Sequence, residues 1–471
     1  MGKYYITAAI PYVNAKPHIG HALEFIQTDT IARYHRLLDE EVLTLSGGDE
    51  NALKNVQAAE AAGKEVQEFI NENTKLFEEL AKKLNVQFDV FQKGSSQNHH
   101  QSSQKLWDLC EKNGDIYKKS YRGLYCVGCE TFYTIEELNE NGECFEHPGK
   151  KLDEVEEENY FFKLSKYQDQ LIQIIESGEY DIIPEFRKNE VLVFLKSGLH
   201  DFSISRSNER TKNWGVPVPG DGTQKIYVWF DALNIYQSGI GFGWDEEKYK
   251  KYWPADLHVI GKGIIRFHAI YWPAILLSAG LKLPKKLFVH EYFTVNGQKM
   301  SKTLGNVYDP SIAIEKFGTD ALRYYCLAKI SPFQDGDFSE EKLVESYNSD
   351  LANGLGNLVA RVSRLCEQNN IEAGQGSNVW CADLVKYMEQ FKFNEAIGII
   401  WGLISEADKK INQDKPWEQK GEKLTEILED LVKRIQAIAF NLQPFMPQTS
   451  EKILKQFSGQ IKSNPPLFPR I

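Results

Sequence analysis

Cysteine is scarce in this chain: there are seven in 471 residues, an odd number, and three of them fall in one short segment. That excludes a secreted disulfide framework and leaves the thiols for packing or for a metal. Long apolar runs are missing too. The best candidate, around Ile270 to Leu281, is interrupted by Pro273 and fits a buried helix rather than a membrane span. Positive charge is in deficit, with a formal net charge of -11, which excludes a generally basic nucleic-acid binder. Any polyanion has to meet a local basic patch. There is no internal repeat and no low-complexity tail. The N-terminus carries Lys3 but breaks at Pro11 and Asn14, unlike a signal peptide, so a cytoplasmic location is expected. What remains, 42% hydrophobic and 26% charged residues, suits a globular protein, and the length suits about three domains.

The chain is organised around a stretch near its start, Ala8 to His21. An apolar, aromatic run from Tyr4 to Ala9 reads as a strand, and a helical pattern follows with Leu23, Ile26, Tyr34, Leu37 and Leu38 on one face. Two prolines keep the link extended, and Pro17 marks the helix start. A strand entering a helix N-terminus makes an anion site, because the first amides have no intrahelical partner and the dipole is positive there. His18 and His21, three apart, share one helix face and can both donate to phosphate, while Gly20 lets a ligand approach the backbone. The plainer reading is a helix start with two capping histidines.

A second strand, Glu41 to Leu45, is expected to end in the turn Ser46-Gly47-Gly48 before Asp49, with helices over Ala52–Ala62 and Val66–Leu84. Strand, helix, strand, helix is the rhythm of a doubly wound parallel sheet. Asp49 then lies at a strand's carboxyl end, where such sheets bind ligands, and can take an ammonium group; the alternative is a helix N-cap. From about Tyr117 to Trp214 the chain turns Cys-, Gly- and acid-rich. Cys126-x2-Cys129-x14-Cys144-x2-His147 has the spacing of a structural zinc knuckle, with all four ligand positions filled. Cys110, Cys326, Cys366 and Cys381 are expected to be core thiols.

An alternating pattern returns over Lys225–Tyr236, followed by a strand from Leu257 into Gly261-Lys262-Gly263 and a helix over Ile264–Leu277. On that helix Ile264, His268 and Trp272 share a face. A strand from Lys286 to Val295 leads into Asn296-Gly297-Gln298-Lys299-Met300-Ser301-Lys302, a glycine-flanked loop whose two lysines suit a phosphate leaving group. Beyond Asp337 the pattern is helical, over roughly Glu340–Asn369, Cys381–Gln413 and Lys423–Phe457.

His18-Ile19-Gly20-His21 in the first βα unit and Lys299-Met300-Ser301-Lys302 after the second half resemble the paired signatures of the class I aminoacyl-tRNA synthetases. The resemblance sharpens to the methionyl-tRNA synthetases through Ala8-Ala9-Ile10-Pro11-Tyr12, Tyr227-Val228-Trp229-Phe230-Asp231-Ala232, Phe267-His268, Trp272-Pro273, the Cys/His knuckle, Gly356–Arg361 and Lys415-Pro416-Trp417. It implies an α/β fold: a Rossmann-like doubly wound parallel sheet with a zinc-containing insertion, followed by an all-α anticodon-binding bundle. The corresponding division is a first catalytic half at 1–116, an inserted connective domain at 117–213, a second catalytic half at 214–292, a lysine-loop region at 293–345 and a helical domain at 346–471.

By the same resemblance the activity is that of a methionine-tRNA ligase. Methionine sits among Ile10, Tyr12, Trp229, Ala232, Tyr236, Ile264, His268 and Trp272, where a polarisable thioether gains from aromatic edges, and Asp49 holds its ammonium. ATP, with Mg²⁺, meets His18, Gly20, His21, Gly261, Lys299 and Lys302, of which the histidines and lysines are the catalytic set. Asn357, Arg361 and Trp417 are implied to read the tRNA anticodon, and one structural zinc is implied at the knuckle. The absence of a C-terminal appendage suggests a monomer. Three departures from the family pattern stand out: Asn51-Ala52 where His-Gly is common after Asp-Glu, Gly263 where an Asp is usual, and Thr303 for the final Ser of the loop. The competing readings are a related class I synthetase for another apolar amino acid and a non-catalytic tRNA-binding paralogue.

Overall fold

Apolar runs buried on both faces build a sheet of parallel strands. In chain order these are β1 (Lys3–Ala8), β2 (Glu41–Gly48), β3 (Val90–Lys93), β4 (Asp181–Ile183), β5 (Leu257–Gly261) and β6 (Lys286–His290). Their spatial order is β3-β2-β1-β5-β6-β4, and every pairing is parallel. The computed structural model describes residues 2–126, 131–133, 135, 138–144, 149–300, 305–374, 376 and 378–471. Two compact units share the chain. One comprises Met1–Pro17, Asp39–Glu79 and Gln87–His290, the other His18–Leu38, Leu80–Val86 and Glu291–Ile471.

The parallel sheet belongs to the first unit. β1 lies between β2, which follows it in sequence, and β5, which arrives some 250 residues later (Thr7 pairs with His258). The strand order therefore reverses at β1, and the crevice beyond its carboxyl end is where ligands bind in such sheets. The core packed on the sheet contains Trp107, Phe162, Tyr180, Phe230, Trp272 and Leu287, all fully buried. A second, antiparallel sheet runs Thr131–Tyr133, Ile116–Cys126, Asp153–Phe162, Phe202–Ser203. The segment between residues 117 and 213 contributes to both sheets, because β4 is the edge strand of the parallel one.

Three local expectations are corrected. The turn expected at Ser46-Gly47-Gly48 is the end of β2, paired with Phe91, Gln92 and Lys93. A Cβ on Gly47 would stand 2.2 Å from the Gln92 carbonyl oxygen, so the missing side chain is what lets β3 close in. The alternating pattern over Lys225–Tyr236 is a strand only to Ile226; helices Val228–Leu233 and Ile235–Ser238 follow. Every residue of those helices is buried, the polar Asp231, Gln237 and Ser238 included, and so short a buried segment is not separated from a strand by its period. The strand expected over Lys286–Val295 divides. β6 ends at His290, and Phe293–Val295 enters a different sheet with Gln298–Lys299 and Gly336–Phe338. At the break Glu291 N–H donates to the Pro332 carbonyl and Tyr292 N–H to the Asp335 carboxylate.

The second unit is mostly helical. It holds Ile19–Arg36 and, beyond Ser339, the helical stretches Glu340–Ser346, Tyr347–Gly356, Asn357–Gln368, Ala382–Glu389, Phe393–Asp414, Gly421–Leu442 and Pro447–Gln456. Arg323, fully buried, ties this unit together. Its Nη1 lies 2.8 Å from Asp29 Oδ2 on the first helix. Its Nε and Nη2 donate to the carbonyls of Phe445 and Pro444 at 2.8 and 2.9 Å.

Candidate active site

In the first unit, the carboxyl ends of three adjacent strands, β2, β1 and β5, carry Asp49, Ile10 with Tyr12, and Gly261. Asp49 is not a helix cap, since the next helix, Leu53–Ala61, is preceded by Ala52. Its N–H donates to the Pro11 carbonyl at 2.9 Å, Tyr12 and Asp49 form an isolated parallel bridge, and Asn55 Nδ2 donates to the Asp49 carbonyl at 2.8 Å. The Asp49 residue is 3% exposed. A carboxylate held this deep is suited to one charged partner rather than to water.

Around it the structure collects aromatic side chains. Trp229, on helix Val228–Leu233, meets Tyr12 edge to face at 6.2 Å. It stacks on Phe267 at 3.7 Å with the planes 5° apart. Ile10, Tyr12, Ile264 and Phe267 are half-buried against the core that holds Trp229, Tyr236 and Trp272. His268 Nδ1 lies 3.0 Å from the Ile264 carbonyl, so that nitrogen carries the hydrogen, and Nε2 accepts from the Tyr236 hydroxyl at 2.8 Å. Burial pushes the His268 imidazole down to about 4, which keeps the ring neutral. The indole N–H groups of Trp229 and Trp272 are buried and find no hydrogen-bond partner among the described residues. Phe267 was not among the pocket residues expected from sequence, although its place beside His268 was visible. Trp272 is fully buried and meets Trp253 edge to face at 6.2 Å. Ala232 is buried on the same helix as Trp229.

Behind that helix lies a polar cluster that sequence reasoning missed. Asp231 Oδ1 accepts from His99 Nε2 at 2.7 Å and Ser103 Oγ at 2.8 Å, and Oδ2 accepts from Asn51 Nδ2 at 2.6 Å. Asn51 Nδ2 also donates to the Gly94 carbonyl at 2.8 Å, and Ser238 Oγ lies 2.7 Å from His99 Nδ1. Burial acts to raise the Asp231 carboxyl, but His99, the charge of His100 and the Asn51 amide outweigh it and hold the group below its usual value.

The second unit carries the histidines. His18 is the N-cap of helix Ile19–Arg36, and the two rings complete a capping box. Gly20 N–H donates to His18 Nδ1 at 3.2 Å and His18 N–H donates to His21 Nδ1 at 3.1 Å. The plainer reading is therefore true, and it does not exclude the chemical one. With both Nδ1 atoms accepting, the neutral rings carry their hydrogens on Nε2, and two donors are presented by half-buried rings stacked 3.8 Å apart.

The lysine loop springs from a hairpin, Phe293–Val295 with Gln298–Lys299, turned by Asn296 and Gly297 at φ 52° and 74°. That Asn-Gly pair supplies the two positive φ angles a two-residue hairpin turn needs. Asp337 braces the turn by accepting from Gly297 N–H at 2.6 Å and Thr294 Oγ1 at 2.8 Å. The Met300 methyl reaches the helix start: a Cβ on Gly20 would lie 3.5 Å from it, and 3.0 Å from His18 Cε1. Glycine at position 20 thus leaves room for both groups. Lys299 ends the second strand of the hairpin, and Lys302 lies outside the described residues.

Other expected residues fall elsewhere. Asn357, exposed, and Arg361, half-buried, are on one helix, Asn357–Gln368. Arg361 Nη1 and Nη2 reach Asp408 and Asn412 at 3.3 and 3.1 Å, just before the turn that presents Trp417. Trp417 is 56% exposed, which leaves much of the side chain open to solvent. Cys126 and Cys144 are buried and 3.3 Å apart at sulfur, whereas Cys129 and His147 lie outside the described residues. Among the described residues no group of three or more His, Cys, Asp or Glu is gathered for a metal. Cys110, Cys326 and Cys366 are buried, and Cys381 is half-buried.

The family model for "tRNA synthetases class I (M)" matches residues 4–363. A methionine–tRNA ligase of Thermotoga maritima is 42% identical over 98% of this chain and 76% of its own length. One from Brucella suis is 40% identical over 96% and 91%. Among solved structures, Mycobacterium tuberculosis methionyl-tRNA synthetase in complex with methionyl-adenylate superposes with a TM-score of 0.91 at 36% identity, covering 100% of both chains.

Proposed function

This chain belongs to the methionine family of class I tRNA synthetases, and we propose that the residues described above divide its reaction between them as follows. The enzyme activates methionine with ATP, forming methionyl-adenylate and pyrophosphate, and transfers the methionyl group to the terminal adenosine of tRNA. The substrate carboxylate is already ionised, so attack on the α-phosphorus needs alignment and charge stabilisation rather than a general base. Asp49 takes the ammonium. Trp229, Tyr12, Phe267 and the neutral His268–Tyr236 pair enclose the thioether, with Ile10, Ala232, Ile264 and Trp272 completing the wall. The Nε2–H donors of His18 and His21 hold the transferring phosphate, Gly20 and Gly261 leave room for the nucleotide, and Lys299 and Lys302 neutralise the departing pyrophosphate, which enters as the Mg²⁺ complex of ATP. The observation that carries this division is the capping geometry, which turns both histidines into Nε2 donors beside the lysine loop's Met300.

Pyrophosphate exchange with each amino acid in turn tests it. Methionine-dependent exchange is expected; exchange only with leucine, isoleucine or valine would point to a sister synthetase, and exchange with none to a tRNA-binding paralogue. Discrimination against smaller side chains is bounded, since one methylene contributes only about 1 to 3 kcal/mol.

A structural zinc at Cys126, Cys129, Cys144 and His147 belongs to the same proposal. Two buried thiols at 3.3 Å, too far for a disulfide and close enough to share one cation, fit two corners of a tetrahedral site. Such an ion would hold the knuckle's fold and take no part in the reaction. Asn357, Arg361 and Trp417 are assigned to the anticodon in the helical region, with the exposed indole stacking on an unpaired base. Trp417→Ala is expected to weaken aminoacylation by about tenfold through KM for tRNA, the scale of one lost base stack, with exchange unchanged. A matching loss of exchange would remove the residue from the RNA site.

A further inference from the structure

The turn that carries Asp49 and the helix that carries Trp229 come from distant parts of the chain, and a direct polar contact joins them. Asn51, two residues after Asp49, donates to Asp231, two residues after Trp229, at 2.6 Å across 180 positions of sequence. Its second amide hydrogen goes to the Gly94 carbonyl at 2.8 Å, so both N–H directions are committed. On the far side, Asp231 is gripped by His99 and Ser103, which are four apart and share a face of helix Gln97–Lys112. Asp231 and His99 are 1% and 0% exposed. An acid sealed this deep among fixed donors is a rigid anchor, since moving any one donor leaves a buried charge short of a partner.

The Asp49 turn is pinned from its other flank as well. Trp214 Nε1 donates to the Glu50 carbonyl at 2.8 Å. A Cβ on Gly94 would meet Glu50 N and the Gly48 carbonyl at 3.1 Å each, so the backbone packs too closely there for the turn to shift freely. Of these ties, Asn51 to Asp231 runs directly to the aromatic wall.

We propose that Asn51 and Asp231 are a positioning pair that sets the spacing between the carboxylate receiving the substrate ammonium and the tryptophan receiving its side chain. The inference rests on the assignment of Asp49 and Trp229 to methionine. It also gives a task to the amide that stands where the family commonly has histidine: either side chain can donate one N–H to Asp231. A fault in this spacing falls on methionine, which touches both ends, and not on ATP.

The test is steady-state pyrophosphate exchange with the full chain. Asn51→Ala should raise KM for methionine by roughly tenfold, the scale of one lost charge-assisted hydrogen bond, while KM for ATP stays within about twofold. Asn51→His should recover most of that loss, because an imidazole N–H can donate where alanine cannot. Should Asn51→Ala be too unstable to assay, Ser103→Ala removes a donor from the other oxygen of the same carboxylate, and about a threefold rise in the same constant is expected. The idea is overturned by a methionine KM unchanged in the folded Asn51→Ala protein, by equal rises in both constants, or by a histidine variant no better than alanine. Lack of methionine-dependent exchange in the unsubstituted protein would instead overturn the reading on which the pair depends.

Discussion

Replacing His21 with alanine is expected to lower methionine-dependent pyrophosphate exchange by about 10² to 10³-fold, the usual cost of removing one preorganised donor from a developing negative charge. The same substitution removes an N-cap contact, because His21 Nδ1 accepts from His18 N–H at 3.1 Å. Loss of a cap costs only about 0.5 to 2 kcal/mol, and helix Ile19–Arg36 buries twelve of its eighteen residues, so it should remain formed. Activity and stability thus separate. Exchange rates and a thermal melt on the same preparation decide between the two roles of the ring. A protein that melts far below the parent would make the capping role dominant. Intact folding with undiminished exchange would remove His21 from the phosphate site. His21→Asn is a sharper version, since its side chain can still cap the helix but does not place a donor where Nε2 lies.

Arg323→Ala is expected to destabilise the second unit by about 3 to 5 kcal/mol, the range for breaking a buried ion pair by deleting one partner. The guanidinium is fully buried, and its loss strips Asp29 of a partner at 2.8 Å and leaves the Phe445 and Pro444 carbonyls short of donors. Asp29 keeps Arg33 Nε at 2.6 Å, which sets the lower end of the range. A urea titration read by circular dichroism at a helical wavelength measures the shift. A change below about 1 kcal/mol would mean that the pair adds little beyond its own desolvation cost. Because Asp29 shares a helix with His18 and His21, partial loss of exchange before unfolding is also expected.

Much of the chemistry was legible in the sequence because it is local. A strand, an extended link and a helix start within twenty residues set His18 and His21 at a helix N-terminus, whereas the hairpin that leads into the lysine loop reads in sequence only as a glycine-flanked loop. The buried Cys110, Cys326 and Cys366 are the core thiols their contexts suggested. Period failed where burial was complete. Val228–Leu233 is buried on every side and carries a single polar residue, Asp231, too little to time the pattern, so a helix passed for alternation, and Gly47 reads as a turn residue until β3 is seen pressing against it.

What the sequence by itself determined was the set of chemical groups and the order of the strands and helices that carry them, since hydrophobic period, glycine and proline act within a few residues. The tertiary structure alone decided which groups meet. Trp229 stacks on Phe267, Asn51 reaches Asp231, and Arg323 reaches Asp29 because the parallel sheet and the helical packing bring remote segments together. Such contacts follow from the closing of a core, where the cost of an unpaired buried charge or donor selects one arrangement among many that local pattern would permit.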